Sequence, residues 1–308
     1  MKKVRALRNI GVAAILILIA GSCARLRPPA PADVVIDPPG IAVATGPCLD
    51  AMPDADRDGM SDGCELALSR AFAPQLMLHA TRCTLPAAGS EGHIAGGYFH
   101  AAQPVVGIVR LVYLPAYYRD CGWRSAWCFL IDCRGHAGDS ELIVVDVRRS
   151  ASGGWITDAI FLSAHCFSRS EPDCRWYRDD DLNQFDWVDG IVRGAPVVWV
   201  SDARNANYPS RETCERGRMG LDRCDRSATP YRYPVIAERN IGSRVVPIIV
   251  GDRPPGCVNG RFVEPGDRMI VAHDAVECFW DAASKFGGWQ GAGHGETAYG
   301  LYLDHLGL

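Results

Sequence analysis

Residues 54–65, Asp-Ala-Asp-Arg-Asp-Gly-Met-Ser-Asp-Gly-Cys-Glu, constrain the fold more than any other stretch of this 308-residue chain. Carboxylates crowded this closely repel one another unless a cation or protons neutralise them. The stretch meets the pattern D-x-D-x-D-G-x-x-D-x-x-E at every required place. Asp54, Asp56 and Asp58 supply carboxylates, and Gly59 permits the sharp turn between them and the rest of the loop. Met60 offers its backbone carbonyl, Asp62 acts directly or through water, and Glu65 closes the set in bidentate fashion. An all-oxygen set of this kind suits Ca²⁺, and a chain that carries it must bring all six positions to one point.

This is the logic of an EF-hand loop, with one departure. Pro47 and Pro53 stand where the entering helix would run, and proline is poorly tolerated inside a helix. Only the exiting helix is expected, over roughly 64–72, with Pro74 ending it. The stretch is therefore EF-hand-like and resembles the shorter calcium loops of dockerin or thrombospondin type 3 repeats.

The chain opens as an export signal. Lys2, Lys3, Arg5 and Arg8 form a basic start, and residues 10–19 form an apolar run too short to span a bilayer as a mature helix. Ala-Gly-Ser-Cys at 20–23 resembles a bacterial lipobox, which predicts a lipid on Cys23 and membrane attachment through it. Ala24 is not the Asp that signals inner-membrane retention, so the expected location is the bacterial cell envelope, at the outer membrane or cell surface. Residues 24–47 are rich in Pro and Ala, lack periodicity, and read as a tether. The expected division is thus 1–23 signal and lipobox, 24–47 tether, 48–72 calcium loop and exit helix, and 73–308 a single disulfide-rich domain. Thirteen cysteines are present, and the twelve other than Cys23 make an even set in an exported chain, which favours disulfides. There is no C-x-x-C pair; Cys166–Cys174 and Cys214–Cys224 are the natural local pairings.

A second polar motif lies mid-chain. Gly-His-Ala-Gly-Asp-Ser-Glu at 135–141 leads directly into Leu-Ile-Val-Val-Asp-Val at 142–147, a β-branched run. On one continuous strand Asp139 and Glu141 share a face with Ile143, Val145 and Val147, and His136 on its Gly-flanked turn reaches the same end. One imidazole with two carboxylates suits a second divalent cation: Ca²⁺, Mg²⁺ or Mn²⁺. The heptad resembles the Gly-His-Arg-His-Asp-Trp-Glu signature of the necrosis-inducing phytotoxin-like proteins. It is still more similar to the G-H-x-G-D-x-E core of the vacuolar protein sorting-associated protein 62 family, with Ser140 in place of the usual Trp. Residues 66–79 also resemble the opening of that family, a short helix running into Phe72-Ala73-Pro74 and a strand ending in His79.

The resemblance implies a β-sandwich with a divalent cation at one end, and it supplies Asp120, at the end of an aromatic strand, as a fourth ligand. It also shows departures. No acidic residue follows His79 closely, which makes His79 a packed or hydrogen-bonded histidine rather than a ligand. Asn205 stands where the family has His in a Lys-His-Ala-x-Tyr segment, and Asn cannot act as a general acid or base near neutral pH.

Many short β-rich runs among Gly/Pro turns predict a mainly β chain, an antiparallel β-sandwich with short peripheral helices, preceded by the EF-hand-like loop. Expected strands include 105–113, 155–162 and 195–201, with a short helix at 275–280; the Asp-rich stretch 175–190 reads as a solvated loop. A net charge of −4 gives no reason to expect nucleic acid. There is no G-x-S-x-G and no H-E-x-x-H. The expected function is a lipid-anchored, calcium-loaded binding module whose heptad cation contacts a polar ligand, a glycan or lipid headgroup. Two other classes stay open: a metal-dependent hydrolase with Glu141 or Asp139 as base, and a structural envelope lipoprotein.

Overall fold

The computed structural model describes residues 40, 53–79, 94–120, 136–164, 174–202, 204–224, 226–240 and 242, with short strands at 257–258, 261–263 and 269–270. The export signal, Cys23 and the helix expected at 275–280 lie outside these residues.

Helix α1 (Asp62–Ala71) is followed by strands β1 (Gln75–Leu78), β2 (Ile94–Val105), β3 (Ile108–Asp120), β4 (His136–Ser140), β5 (Ile143–Arg149), β6 (Trp155–Leu162), β7 (Arg175–Arg178), β8 (Val197–Val200) and β9 (Asn207–Tyr208). Helix α2 (Arg211–Gly220) precedes β10 (Thr229–Arg232), and three short strands follow: β11 (Cys257–Val258), β12 (Arg261–Val263) and β13 (Met269–Ile270). The described chain is mainly β, with two larger sheets and short helices. Among the described residues no helix is long and apolar enough to cross a membrane.

The larger sheet runs β2-β3-β5-β6-β7, with β4 also paired to β3, and all of its pairings are antiparallel. The second sheet runs β10-β1-β8-β9 and departs from the wholly antiparallel expectation, because β1 and β8 are parallel. Parallel neighbours need a long crossover, and here the whole larger sheet lies between β1 and β8 in the sequence.

Turn chemistry sets the larger sheet's register. Gly107, at φ +88°, turns β2 into β3, so the strand expected from 105 starts instead at Ile108. The turn at 150–154 joins β5 to β6 as the sequence predicts, with Ser150 N–H donating to Gly154 O at 2.8 Å. Strands β4 and β5 lie in one continuous register against β3, interrupted only at Glu141 and Leu142. The interruption falls opposite Leu114 and Pro115, and proline has no N–H to give the ladder.

One apolar cluster draws on α1, on β1 and β8 of the second sheet, and on the inward residues of the larger sheet. Leu68 and Phe72 of α1 are fully buried in it, a stabilisation of roughly 1.5–3 kcal/mol each. Tyr113 O–H donates to Ser69 O at 2.9 Å and pins α1 to β3. The stretch 175–190 is more than a solvated loop. It holds β7 and a 3-10 turn over Asp179–Gln184, and Tyr177, Leu182 and Phe185 enter the core. Asp179, Asp180, Asp186 and Asp189 are exposed around these apolar anchors.

The opposite face of the larger sheet is also buried. Val112, Val144 and Phe161 lie side by side in the ladder with no exposure. Beside them Arg110 and Asp146 are direct cross-strand partners joined by two 2.7 Å hydrogen bonds, with the Arg110 guanidinium over Trp176 at 4.7 Å. A buried ion pair is tolerated when its geometry is bidentate, as here. His100, in the same layer, is held neutral, its pKa lowered to about 4 mainly by burial.

Candidate metal centre

The loop at 54–65 is tied by its own backbone. Asp54 Oδ2 accepts from Gly59 N at 3.0 Å and Oδ1 from Asp58 N at 3.3 Å. Asp58 Oδ1 accepts from Met60 N at 2.7 Å, and Asp62 Oδ1 from Ala55 N at 3.0 Å. Arg57 and Gly59 take left-handed φ values of +57° and +91°, which fold the chain back on itself. The Met60 side chain is buried in the core and anchors the loop to the sheets.

Helix α1 leaves the loop as expected, but it begins at Asp62 rather than 64. Ser61 is the cause: its Oγ accepts from Cys64 N at 3.3 Å as an N-cap. Asp62 and Glu65 then fall in the first turn, where carboxylates favour the helix dipole.

The loop brings its carboxylates together. Oxygens of Asp54, Asp56 and Asp62 lie within 4.8 Å of one another, and so do those of Asp56, Asp58 and Glu65. Asp56 is common to both groups, and Asp56 and Glu65 are fully buried. Glu65 Oε2 accepts from Asn240 Nδ2 at 2.8 Å, whereas Oε1 receives no hydrogen bond. Asp58 Oδ2 is likewise buried without a donor. Burying an ionised carboxylate with nothing to meet it costs several kcal/mol or more.

The electrostatics follow. Burial, reinforced by the Asp56 and Asp58 charges, pushes the Glu65 carboxyl up to about 9. Burial and its carboxylate neighbours push Asp56 up to about 7. Asp58 is also raised, chiefly by burial, against the pull of the Met60 N–H. A cluster of this kind takes up either protons or a hard cation, and oxygen donors alone match Ca²⁺ or Mg²⁺ better than softer metals.

Asn240 was not visible as a member of this site. A contact spanning 175 positions leaves no local signal. A second omission, helix α2, did have signals: Ser210 Oγ accepts from Thr213 N at 3.2 Å, and Gly220 at φ +79° ends the helix.

At the heptad the backbone is described through 136–140. His136 is the first residue of β4 rather than part of a turn as expected, and the ladder sets it opposite Asp120, with Asp139 opposite Tyr117 and Ser140 opposite Ala116. The side chains of Asp120, His136 and Asp139 lie outside the described residues. Glu141 is described: it is buried, and its Oε2 accepts from the Ser163 hydroxyl. Next to it, Leu142 O accepts from Ser163 N at 3.0 Å and from Asn207 Nδ2 at 3.3 Å. Glu141 belongs to neither of the acidic groups found among the described residues.

His79 is buried, its ring 6.5 Å from Trp199, as a packed histidine is expected to be. Asn205 is buried with a left-handed φ of +55°. Of the expected local cysteine pairs, Cys214–Cys224 is formed, with Cα atoms 5.9 Å apart. Cys174 is disulfide-bonded, as is Cys64, while Cys166 lies outside the described residues.

No family model, no curated protein and no solved structure matches this chain.

Proposed function

We propose that this chain is an exported, lipid-anchored envelope protein in which Ca²⁺, held by Asp54, Asp56, Asp58, Met60 O, Asp62 and Glu65, locks the 54–65 loop and α1 against a β-sandwich. The observation that carries this is Glu65: a fully buried carboxylate whose Oε1 receives no hydrogen bond and lies with Asp56 and Asp58 oxygens inside 4.8 Å. A calcium ion supplies the missing counter-charge. The shared core of the two larger sheets supports the sandwich, and the complete ligand pattern supports the EF-hand-like loop.

The heptad is the second, open position of this reading. Its likeness to the vacuolar protein sorting-associated protein 62 family supports a divalent cation held by Asp120, His136, Asp139 and Glu141, offered to a glycan or lipid headgroup. The cross-strand placement of Asp120 opposite His136 supports those two as neighbours, whereas the three-residue spacing from His136 to Asp139 along β4 does not by itself give them a shared face. A purely structural role for the heptad is the second reading, favoured by the burial of Glu141 and its bond to Ser163.

The test of the loop is metal analysis of the purified protein together with melting in Ca²⁺ and in chelator. At a hundredfold excess over Kd, Ca²⁺ adds about 2.7 kcal/mol to stability. Glu65→Gln is expected to remove most of that gain. A protein that melts identically with and without calcium refutes the reading.

A further inference from the structure

Five large apolar side chains are exposed among the described residues, and four of them sit on two loops: Val105 and Val106, and Ile191 and Val192. Val106 is 98 % exposed. The register puts both loops at the same end of the larger sheet. Ile108, just past the β2–β3 turn, is opposite Arg148, and Arg149 is opposite Trp155 beside the β5–β6 turn. The 191–194 turn joins this end through Thr157, which donates from N to Arg193 O and from Oγ1 to Gly194 O, both at 2.7 Å.

A third observation bears on the occupant. Gly40 meets the sheet at this end: its N–H donates to Ser152 Oγ at 3.4 Å, and its backbone lies so close to Gly154 that a Cβ on Gly40 would come within 2.5 Å of it. Gly40, seventeen positions after Cys23 in the sequence, therefore lies where the apolar tips project. Charge at the tips is mixed: residues 103–108 and 150–155 contain no Asp or Glu, Arg149 and Arg193 flank the apolar side chains, Asp189 stands exposed two residues before Ile191, and Asp158 on β6 is engaged by Arg148 at 2.7 Å. An exposed apolar rim flanked by arginines suits an anionic lipid surface.

We infer that this end of the larger sheet, through Val105, Val106, Ile191 and Val192, seats in the surface of the bilayer to which the chain is anchored. The inference rests on the lipid-anchored reading above. It places β4 and the heptad at the far end of the same sheet, since β5 runs from Ile143 beside the heptad to Arg149 beside the tips. The bilayer thus takes the apolar end and leaves the polar end to the aqueous side.

The experiment uses the mature full chain in vesicles of phosphatidylethanolamine and phosphatidylglycerol that include a lipid with a photoreactive acyl chain. Adducts are mapped by mass spectrometry, and the mass of the N-terminal peptide reports the lipid on Cys23. Adducts are expected on peptides covering 103–108 and 190–194 and not on 136–141. Val106→Asp with Val192→Asp, both at exposed turns, is expected to cut their yield about tenfold. Adducts confined to an acylated N-terminal peptide overturn the seating and leave the anchor intact. Adducts at both loops in a chain without lipid on Cys23 uphold the seating and remove the anchor. No adducts and no lipid remove both.

Discussion

Asn240 donates from Nδ2 to Oε2 of Glu65 at 2.8 Å, joining positions 175 residues apart. The same side chain accepts from Gly242 N at 3.0 Å, and its backbone forms a parallel bridge to Phe99 on β2. The carboxylate that closes the loop is therefore aimed by a segment near the far end of the described chain. Asn240→Ala is expected to weaken calcium binding about tenfold, the usual size of effect when a ligand loses its orienting partner. Calorimetry reads it directly, and an unchanged affinity would show that Glu65 is oriented by the loop alone.

Acidity gives a second check. In the unfolded chain these carboxyls ionise near 3.8 for Asp and 4.5 for Glu, but in the calcium-free fold Asp56 holds its proton to about 7 and Glu65 to about 9. A folded pKa above the unfolded one means the contribution is full below the unfolded value and is lost as pH rises through the folded value. In chelator, the melting temperature is expected to fall between about pH 5 and 9; saturating Ca²⁺ should remove that fall. Calcium titrations at pH 7 in buffers of different ionisation enthalpy should also register proton release. A calcium-free protein whose melting rises across this window contradicts the buried, protonated cluster.

The heptad yields a stoichiometric prediction. Asp139→Ala is expected to remove one metal equivalent while the calcium response of the 54–65 loop persists. If the metal content is unchanged, the site formed by Asp120, His136, Asp139 and Glu141 does not exist and the structural reading of the heptad stands.

The Cys214–Cys224 bridge closes a short loop that includes most of α2. Replacing both residues by Ala is expected to cost about 2–4 kcal/mol. Denaturant unfolding measures this, and alkylation of the denatured wild type should label neither Cys214 nor Cys224. Labelled thiols at these positions would reopen thiolate chemistry.

The sequence disclosed what local chemistry alone decides. The loop pattern named five carboxylates, and the fold gathers them into two groups that share Asp56. β-Branched density located β6 to the residue, and the Ser150-to-Gly154 turn paired it with β5. What stayed hidden depends on partners distant in the chain. The parallel β1–β8 pair is set by a crossover longer than any local window, and Asn240 finds Glu65 only in three dimensions. At 175–190 the Asp residues masked the spacing of Tyr177, Leu182 and Phe185, whose burial decides that segment. The break at Glu141 falls opposite Pro115 on the neighbouring strand, a placement that no window around the heptad contains.

The central strands of the larger sheet are dry on both sides: Tyr113, Ile143 and Leu162 on one, Val112, Val144 and Phe161 on the other, all without exposure. These central strands offer no free wall against which a guest molecule could lie flat. On this part of the sheet, contact with another molecule falls to the strand ends, where loop substitutions leave the walls untouched. Change at the ends and constancy in the walls can then proceed independently, which makes the frame reusable.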